Sequence, residues 1–114
     1  MPLPGRRLHV AHALQCRMRV EKTEEYKTWI DNLKDRSGRA RVLMRVDRLI
    51  HGNPGSHRDL TEGVSELKID VGPGYRVYYS TRGDRLLLLL AGGDKASQQK
   101  DIAKALSLNR NFKE

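Results

Sequence analysis

Cysteine is nearly absent from this 114-residue chain, which holds one, Cys16. That excludes an internal disulfide and fits a reducing compartment such as the cytoplasm. Cys16 reads as a small apolar filler near a strand start, because nothing local offers it a base or an electropositive pocket. Long apolar runs are missing too. The longest, Leu86 to Ala91, falls far short of the roughly 18–20 residues of a membrane-spanning helix, so no membrane role is expected. The opening residues lack the apolar stretch and small-residue cleavage site of a signal peptide. Repeats and low-complexity tracts are absent. His9 and His12 have a spacing suited to one helix face, yet no further ligand accompanies them, so neither a metal nor a cofactor is expected. Acidic residues are in deficit, with 14 Asp and Glu against 22 Lys and Arg, a formal charge of +8. Such an excess suits a polyanionic partner (nucleic acid, an anionic membrane or an acidic protein) without choosing among them.

What is present makes one domain with a modest core. Residues 1–17, with two prolines, the Arg6-Arg7 pair and no steady periodicity, read as a flexible extension or as the product of an upstream start codon. Met18 stands just before the first orderly segment, and residues 18–114 form the domain. Cys16 to Glu21 alternates like a short strand. Thr23 is suited to cap a helix whose first turn carries Glu24 and Glu25, where negative charge complements the helix dipole. Tyr26, Trp29, Ile30 and Leu33 recur at helical spacing and read as core. Asp35-Arg36-Ser37-Gly38 breaks that helix, and a second follows with Val42, Val46, Leu49 and Ile50 as its apolar face. Arg41, Arg45 and Arg48 share a stripe on it, readable as a solvated face or as a row that tracks phosphates. Gly52-Asn53-Pro54-Gly55 ends this helix, and a loop runs through His57 and Arg58 to Gly63.

Three strands come next, around 64–71, 74–81 and 84–91. The last contains Leu86-Leu87-Leu88-Leu89-Leu90 and is apolar on both faces, as in a central strand covered on both sides. The first two are joined by Gly72-Pro73-Gly74, a turn sequence because glycine accepts positive φ and proline fixes its own. Period-two alternation sets Glu66, Lys68 and Asp70 on one face of the first strand, and Arg76 and Tyr78 on one face of the second. The hairpin can therefore gather Glu66, Lys68, Arg76 and Tyr78 on a single polar face. Asp94 is suited to cap a final helix from Lys95 to about Leu108, and Lys95 after two glycines forms an anion site at a helix N-terminus. The fold class is α+β: strand, two helices, three-stranded antiparallel meander and C-terminal helix, with the sheet packed against helices.

These residues form a familiar series. Thr23-Glu24-Glu25-Tyr26 with Trp29-Ile30, Gly52-Asn53, Gly63-Val64-Ser65-Glu66-Leu67-Lys68-Ile69, Gly72-Pro73-Gly74-Tyr75-Arg76-Val77-Tyr78-Tyr79 and Gly92-Gly93-Asp94-Lys95 follow one another in order. The series closely resembles the phage-derived addiction module killer protein group of the RelE/ParE toxin superfamily, related to HigB-type toxins, from about Met18 to about Leu108. The resemblance implies the toxin of a type II toxin–antitoxin pair, neutralised by a neighbouring antitoxin with a helix-turn-helix domain that also binds operator DNA. Most such toxins cut messenger RNA on the ribosome without metal, whereas the ParE branch poisons DNA gyrase. It also implies that Arg76 matches the family's arginine on the third strand.

RNA cleavage through the ribose 2′-OH needs a base, cations to offset charge on the phosphorane-like transition state, and an acid for the leaving 5′-oxygen. Arginine suits the middle task because its planar fork meets two phosphate oxygens at once. Lys68 is suited to take a proton or to hold phosphate, and Glu66 is the rival base. Arg41, Arg45, Arg48 and Lys95 are the further phosphate-binding candidates. Better-known relatives often carry a tyrosine or histidine near the C-terminus as acid, but this chain ends Asn109-Arg110-Asn111-Phe112-Lys113-Glu114. The acid is then Tyr78, a lysine or the ribosome itself, with His51 and His57 as loop candidates. Three functions stay open: ribosome-dependent messenger-RNA endonuclease, gyrase poison, and non-catalytic subunit that binds operator DNA with its antitoxin.

Overall fold

A computed structural model describes residues 18–113. The expectations for Cys16, His9, His12 and the 1–17 extension lie outside the described residues. The order is β1 (Arg19–Lys22), α1 (Glu24–Asp31), α2 (Arg36–Ile50), β2 (His57–Asp59), β3 (Val64–Ile69), β4 (Tyr75–Arg82), β5 (Leu86–Asp94), a 3₁₀ turn (Lys95–Ser97) and α3 (Gln98–Asn111). The five strands form one sheet in the order β1-β5-β4-β3-β2. All neighbours are antiparallel except β1 and β5, which run parallel. The α+β class and the meander are therefore as expected. The segment read as a loop after Gly55 contains the short edge strand β2, paired to β3 from His57↔Leu67 to Asp59↔Ser65.

Thr23 caps α1 as its sequence suggests, its hydroxyl accepting from the Tyr26 amide at 3.1 Å. The Asp35-Arg36-Ser37-Gly38 segment is a start more than a break. Asp35 caps α2 by accepting from the Gly38 amide at 3.0 Å, and Arg36 to Gly38 already belong to its first turn. Glycine is needed there for space, since a Cβ on Gly38 would run into the Tyr75 ring and the Asp35 carboxylate.

Strand alternation divides the interior in two. On one face Leu67, Ile69, Tyr75, Val77, Tyr79, Leu87 and Leu89 meet Tyr26 and Ile30 of α1 and Val42, Val46 and Leu49 of α2. On the other, Val64, Tyr78, Leu88, Leu90 and Ala91 meet Ala105 of α3, with Ile102, Leu106 and Leu108 packed around them. The central strand β5 thus needs leucines on both sides, as read. A bulge between Tyr78 and Tyr79 leaves Leu90 without a β4 partner. The Thr23 hydroxyl donates to the Leu90 carbonyl at 2.5 Å, so the bulge is tied to the start of α1. Among the described residues no helix is long and apolar enough to cross a membrane.

Candidate functional site

The Gly-Pro-Gly turn does what its residues require. Gly72 and Gly74 both carry positive φ, and the Gly74 amide donates to the Val71 carbonyl at 3.0 Å. This turn sets the register in which Lys68 stands opposite Arg76 and Glu66 opposite Tyr78. Directly opposed residues on antiparallel strands share a face, so the four side chains gather as the alternation predicts.

Their environment differs from the open polar face that alternation alone suggests. Helix α3 lies over this side of the sheet, so Glu66 and Tyr78 are wholly buried and Arg76 nearly so. Glu66 Oε2 accepts from the Tyr78 hydroxyl at 3.1 Å and from Gln98 Nε2 at 2.7 Å. Burial, followed by the charge of Glu66 and its hydrogen bond, drives the Tyr78 phenol well above the ordinary tyrosine range. Glu66 Oε1 has no hydrogen bond, but Arg58 Nη2 of β2 stands 3.2 Å away as an ionic contact. Arg76 Nη1 donates to the Tyr75 carbonyl at 3.0 Å and approaches Asp70 Oδ1 at 3.5 Å, while its Nε is buried without a partner. Its guanidinium lies near Gly74 and the stem of Lys95, for a Cβ at Gly74 would sit 3.5 Å from both. Lys68 is half-buried and Lys95 is exposed, so these two ammonium groups are the ones that face solvent.

The arginine stripe of α2 does not join this cluster, because α2 packs on the opposite face of the sheet. Arg45 is committed to the backbone: Nη1 donates to the Lys68 carbonyl at 2.7 Å, and Nη2 to the Pro54 and Ser56 carbonyls at 2.9 Å each. Burial and the neighbouring Arg48 lower its proton affinity, though a guanidinium stays charged. Arg41 is exposed beside a shallow hollow with Asp35, Ser37 and Gly72, and Arg48 is an exposed residue of the last turn. The helix-start anion site at Lys95 is also filled from within. Asp94 Oδ1 accepts from the Ala96 and Ser97 amides at 3.0 and 3.2 Å, so the carboxylate takes the place an external anion would have. Lys95 remains available as a side-chain cation only.

His51 caps the C-terminus of α2, its Nδ1 2.8 Å from the Asp47 carbonyl. His57 pairs with Leu67 and so shares the α2 face, away from Glu66. The C-terminal residues serve as a clamp. Asn109 Oδ1 accepts from Ser80 at 2.7 Å and from Arg82 at 3.2 Å, and Arg110 grips Glu62 through two bonds of 2.8 and 2.9 Å. A groove of about 470 Å³ lies between α1 and α3 at the end of β5. Trp29 sits over Gly92 there, where a Cβ would run into the indole. Its lining carries Glu24, Glu25, Asp94 and Asp101 against Lys100 and Lys104, so acidic groups outnumber basic ones there. Arg58, expected only as part of a loop, and Gln98, expected only on the final helix, are further polar members of the cluster. Among the described residues no three His, Cys, Asp or Glu side chains gather as a metal site.

The fold that carries this cluster has counterparts. No family model matches the chain. The chain belongs to the family of an uncharacterized protein of Haemophilus influenzae, to which it is 39% identical over 88 residues, covering 77% of this chain and 89% of that protein. Its fold is RelE-like. It superimposes on the E. coli toxin RelE, in a double arginine-to-alanine mutant in the free state, with a TM-score of 0.65 over 83% of this chain and 98% of RelE. At 13% identity that likeness is one of fold.

Proposed function

We propose that this chain is the toxin of a toxin–antitoxin pair, of the HigB-like kind, and that it cuts messenger RNA on the ribosome. The observation that carries the reading is the facing pair Lys68 and Arg76 beside the Gly72–Gly74 turn, with Lys95 adjacent, on a RelE-like fold. A phosphorane-like transition state gains negative charge, and fixed cations stabilise it without reorganising. Arg76 is nearly buried, so it supplies field from beneath. Lys68 and Lys95 reach solvent and contact the phosphate directly. Lys68 is also the group suited to exchange a proton with the 2′-OH or the leaving oxygen. Glu66 and Tyr78 bind each other out of water, which supports a holding role for both. Arg41 and Arg48 are free to add attraction from the other face, and the partner that silences the toxin is an antitoxin with a helix-turn-helix domain acting in the cytoplasm. Induced expression should arrest growth and cut translated messages, with Arg76→Ala relieving both. Full arrest with intact messages would sink this reading, and DNA damage with relaxed plasmids in its place would favour gyrase as the target.

One observation favours a second reading. Among the described residues no exposed tyrosine or histidine stands beside Lys68 and Arg76, since Tyr78 is wholly buried and His57 lies on the other face. A non-catalytic subunit that binds operator DNA with its antitoxin fits that as well. Purified protein that cleaves message on ribosomes would exclude it.

A further inference from the structure

Arg58 carries the furthest-reaching observation outside the residues already given roles. It stands on the edge strand β2 directly opposite Glu66, so its side chain lies on the Lys68 and Arg76 face. Its neighbours on β2 point the other way: Asp59 accepts from Ser65 at 2.8 Å, and His57 pairs with Leu67. Four consecutive neighbours in the sheet thus each contribute one cation to the same side: Arg58 from β2, Lys68 from β3, Arg76 from β4 and Lys95 just past β5. At about 4.8 Å per strand the row crosses roughly 14 Å of sheet.

Glu66 fixes the outer end of that row. A carboxylate wholly out of water needs compensation. Tyr78 and Gln98 satisfy Oε2, while Oε1 has the ionic contact with Arg58 at 3.2 Å and no hydrogen bond. The contact leaves the arginine partly free, its side chain 53% exposed against 0% for Glu66. A guanidinium has five N–H donors, so one end is aimed by the buried carboxylate and the remaining donors face solvent. The Arg76 guanidinium turns toward Gly74 and Lys95, so the two arginines act at different places along the row.

We propose that Arg58 is a further phosphate-contacting residue for single-stranded RNA, and that Glu66 is the positioning residue that aims it. This rests on the functional reading above. The test is binding of the whole protein to a 2′-O-methyl single-stranded oligonucleotide, which cannot be cleaved, followed by fluorescence anisotropy across a salt series. Each phosphate neutralised contributes about 0.7 to the slope of log K against log salt. Arg58→Ala, or Arg58→Gln if alanine fails to fold, should lower the slope by about 0.7 and weaken binding severalfold, whereas Arg58→Lys should keep the slope. In a Glu66→Gln background the Arg58 substitution should lose most of its effect on affinity, the signature of coupled residues. An unchanged slope with Arg58→Ala, whatever its melting temperature, would overturn the assignment of Arg58. A full Arg58 effect in the Glu66→Gln background would overturn the positioning role of Glu66. Wild-type protein that ignores the oligonucleotide but binds an acidic peptide would remove the functional reading itself, and this assignment with it.

Discussion

Replacing Arg45 with alanine separates two meanings of an arginine stripe. If Arg45 tracked phosphates, its loss would weaken polyanion binding and leave the fold untouched. Its guanidinium instead donates three bonds, to the carbonyls of Lys68, Pro54 and Ser56, at 2.7 to 2.9 Å. The Ser56 carbonyl has a second partner in the Lys68 amide at 3.0 Å, so it is not orphaned by the change. The other two carbonyls turn to water where they can reach it. A charged hydrogen bond contributes about 1.5–3 kcal/mol when well shielded, and less where water competes. Taking about 1 kcal/mol for each bond gives a loss of about 2–3 kcal/mol, which for a domain of this size lowers the melting temperature by about 10–20 °C. Thermal and denaturant unfolding of Arg45→Ala measure this directly, and Arg45→Lys should recover part of it, since one ammonium cannot span all three acceptors. A variant that melts like the wild type yet binds RNA with a reduced salt slope would refute the structural role.

Other perturbations test separate parts of the molecule. Gly92→Ala forces a methyl into the Trp29 indole and should cost about 1–3 kcal/mol in denaturant unfolding; pairing it with Trp29→Ala should remove most of the clash component. Tyr78→Phe deletes one of the two donors to Glu66 Oε2, which should cost about 1–3 kcal/mol while cleavage by the purified protein stays within severalfold, and a collapse of cleavage at unchanged stability would make the phenol the acid. Burial and the Asp35 hydrogen bond raise the Tyr75 phenol from 10.0 to about 12. A raised folded-state value stabilises below pH 10 and is lost as pH climbs toward 12, so alkaline melting should steepen in that window, and Tyr75→Phe should flatten it. The Gly38 amide and the Tyr75 hydroxyl hold Asp35 below the ordinary carboxylate range. Its contribution is present above the unfolded value and fades as pH falls through the folded one, so Asp35→Asn should blunt the acid limb of the melting profile.

Much of this architecture is written in short-range patterns. Thr23 before two glutamates, the alternation on either side of Gly72–Gly74 and five consecutive leucines each dictate a local answer that packing then uses. The pairing of Lys68 with Arg76 follows from alternation plus turn length. The parts that were not legible depend on what lies opposite. His57–Asp59 is three exposed residues with no apolar alternation, and only its ladder to β3 makes it a strand. The spacing of Arg41, Arg45 and Arg48 gives a direction on a helix but does not reveal that three carbonyls wait opposite Arg45. Likewise, Ile102, Ala105 and Leu106 announce that α3 covers something, without saying that it closes over Glu66 and Tyr78. Asp94 illustrates the converse, since a residue correctly read as a cap thereby fills the anion site inferred beside it.

The parallel pairing of β1 with β5 has a consequence for the timing of assembly. The meander closes through near neighbours, as where Ile69 meets Tyr75. Joining Thr23 to Leu90 spans 67 positions. Closing so long a loop first would cost about 2 kcal/mol more in chain entropy than closing a hairpin turn, and non-local pairings of this kind form late. During synthesis β1 waits, unpartnered on this edge, until β5 has left the ribosome, and α3 follows later still. The basic row therefore comes into being only after β5 and α3 have been made. Amide exchange offers the matching observable: the Arg19 and Thr23 amides, which bond Arg85 and Leu89, should exchange before those linking β3 to β4.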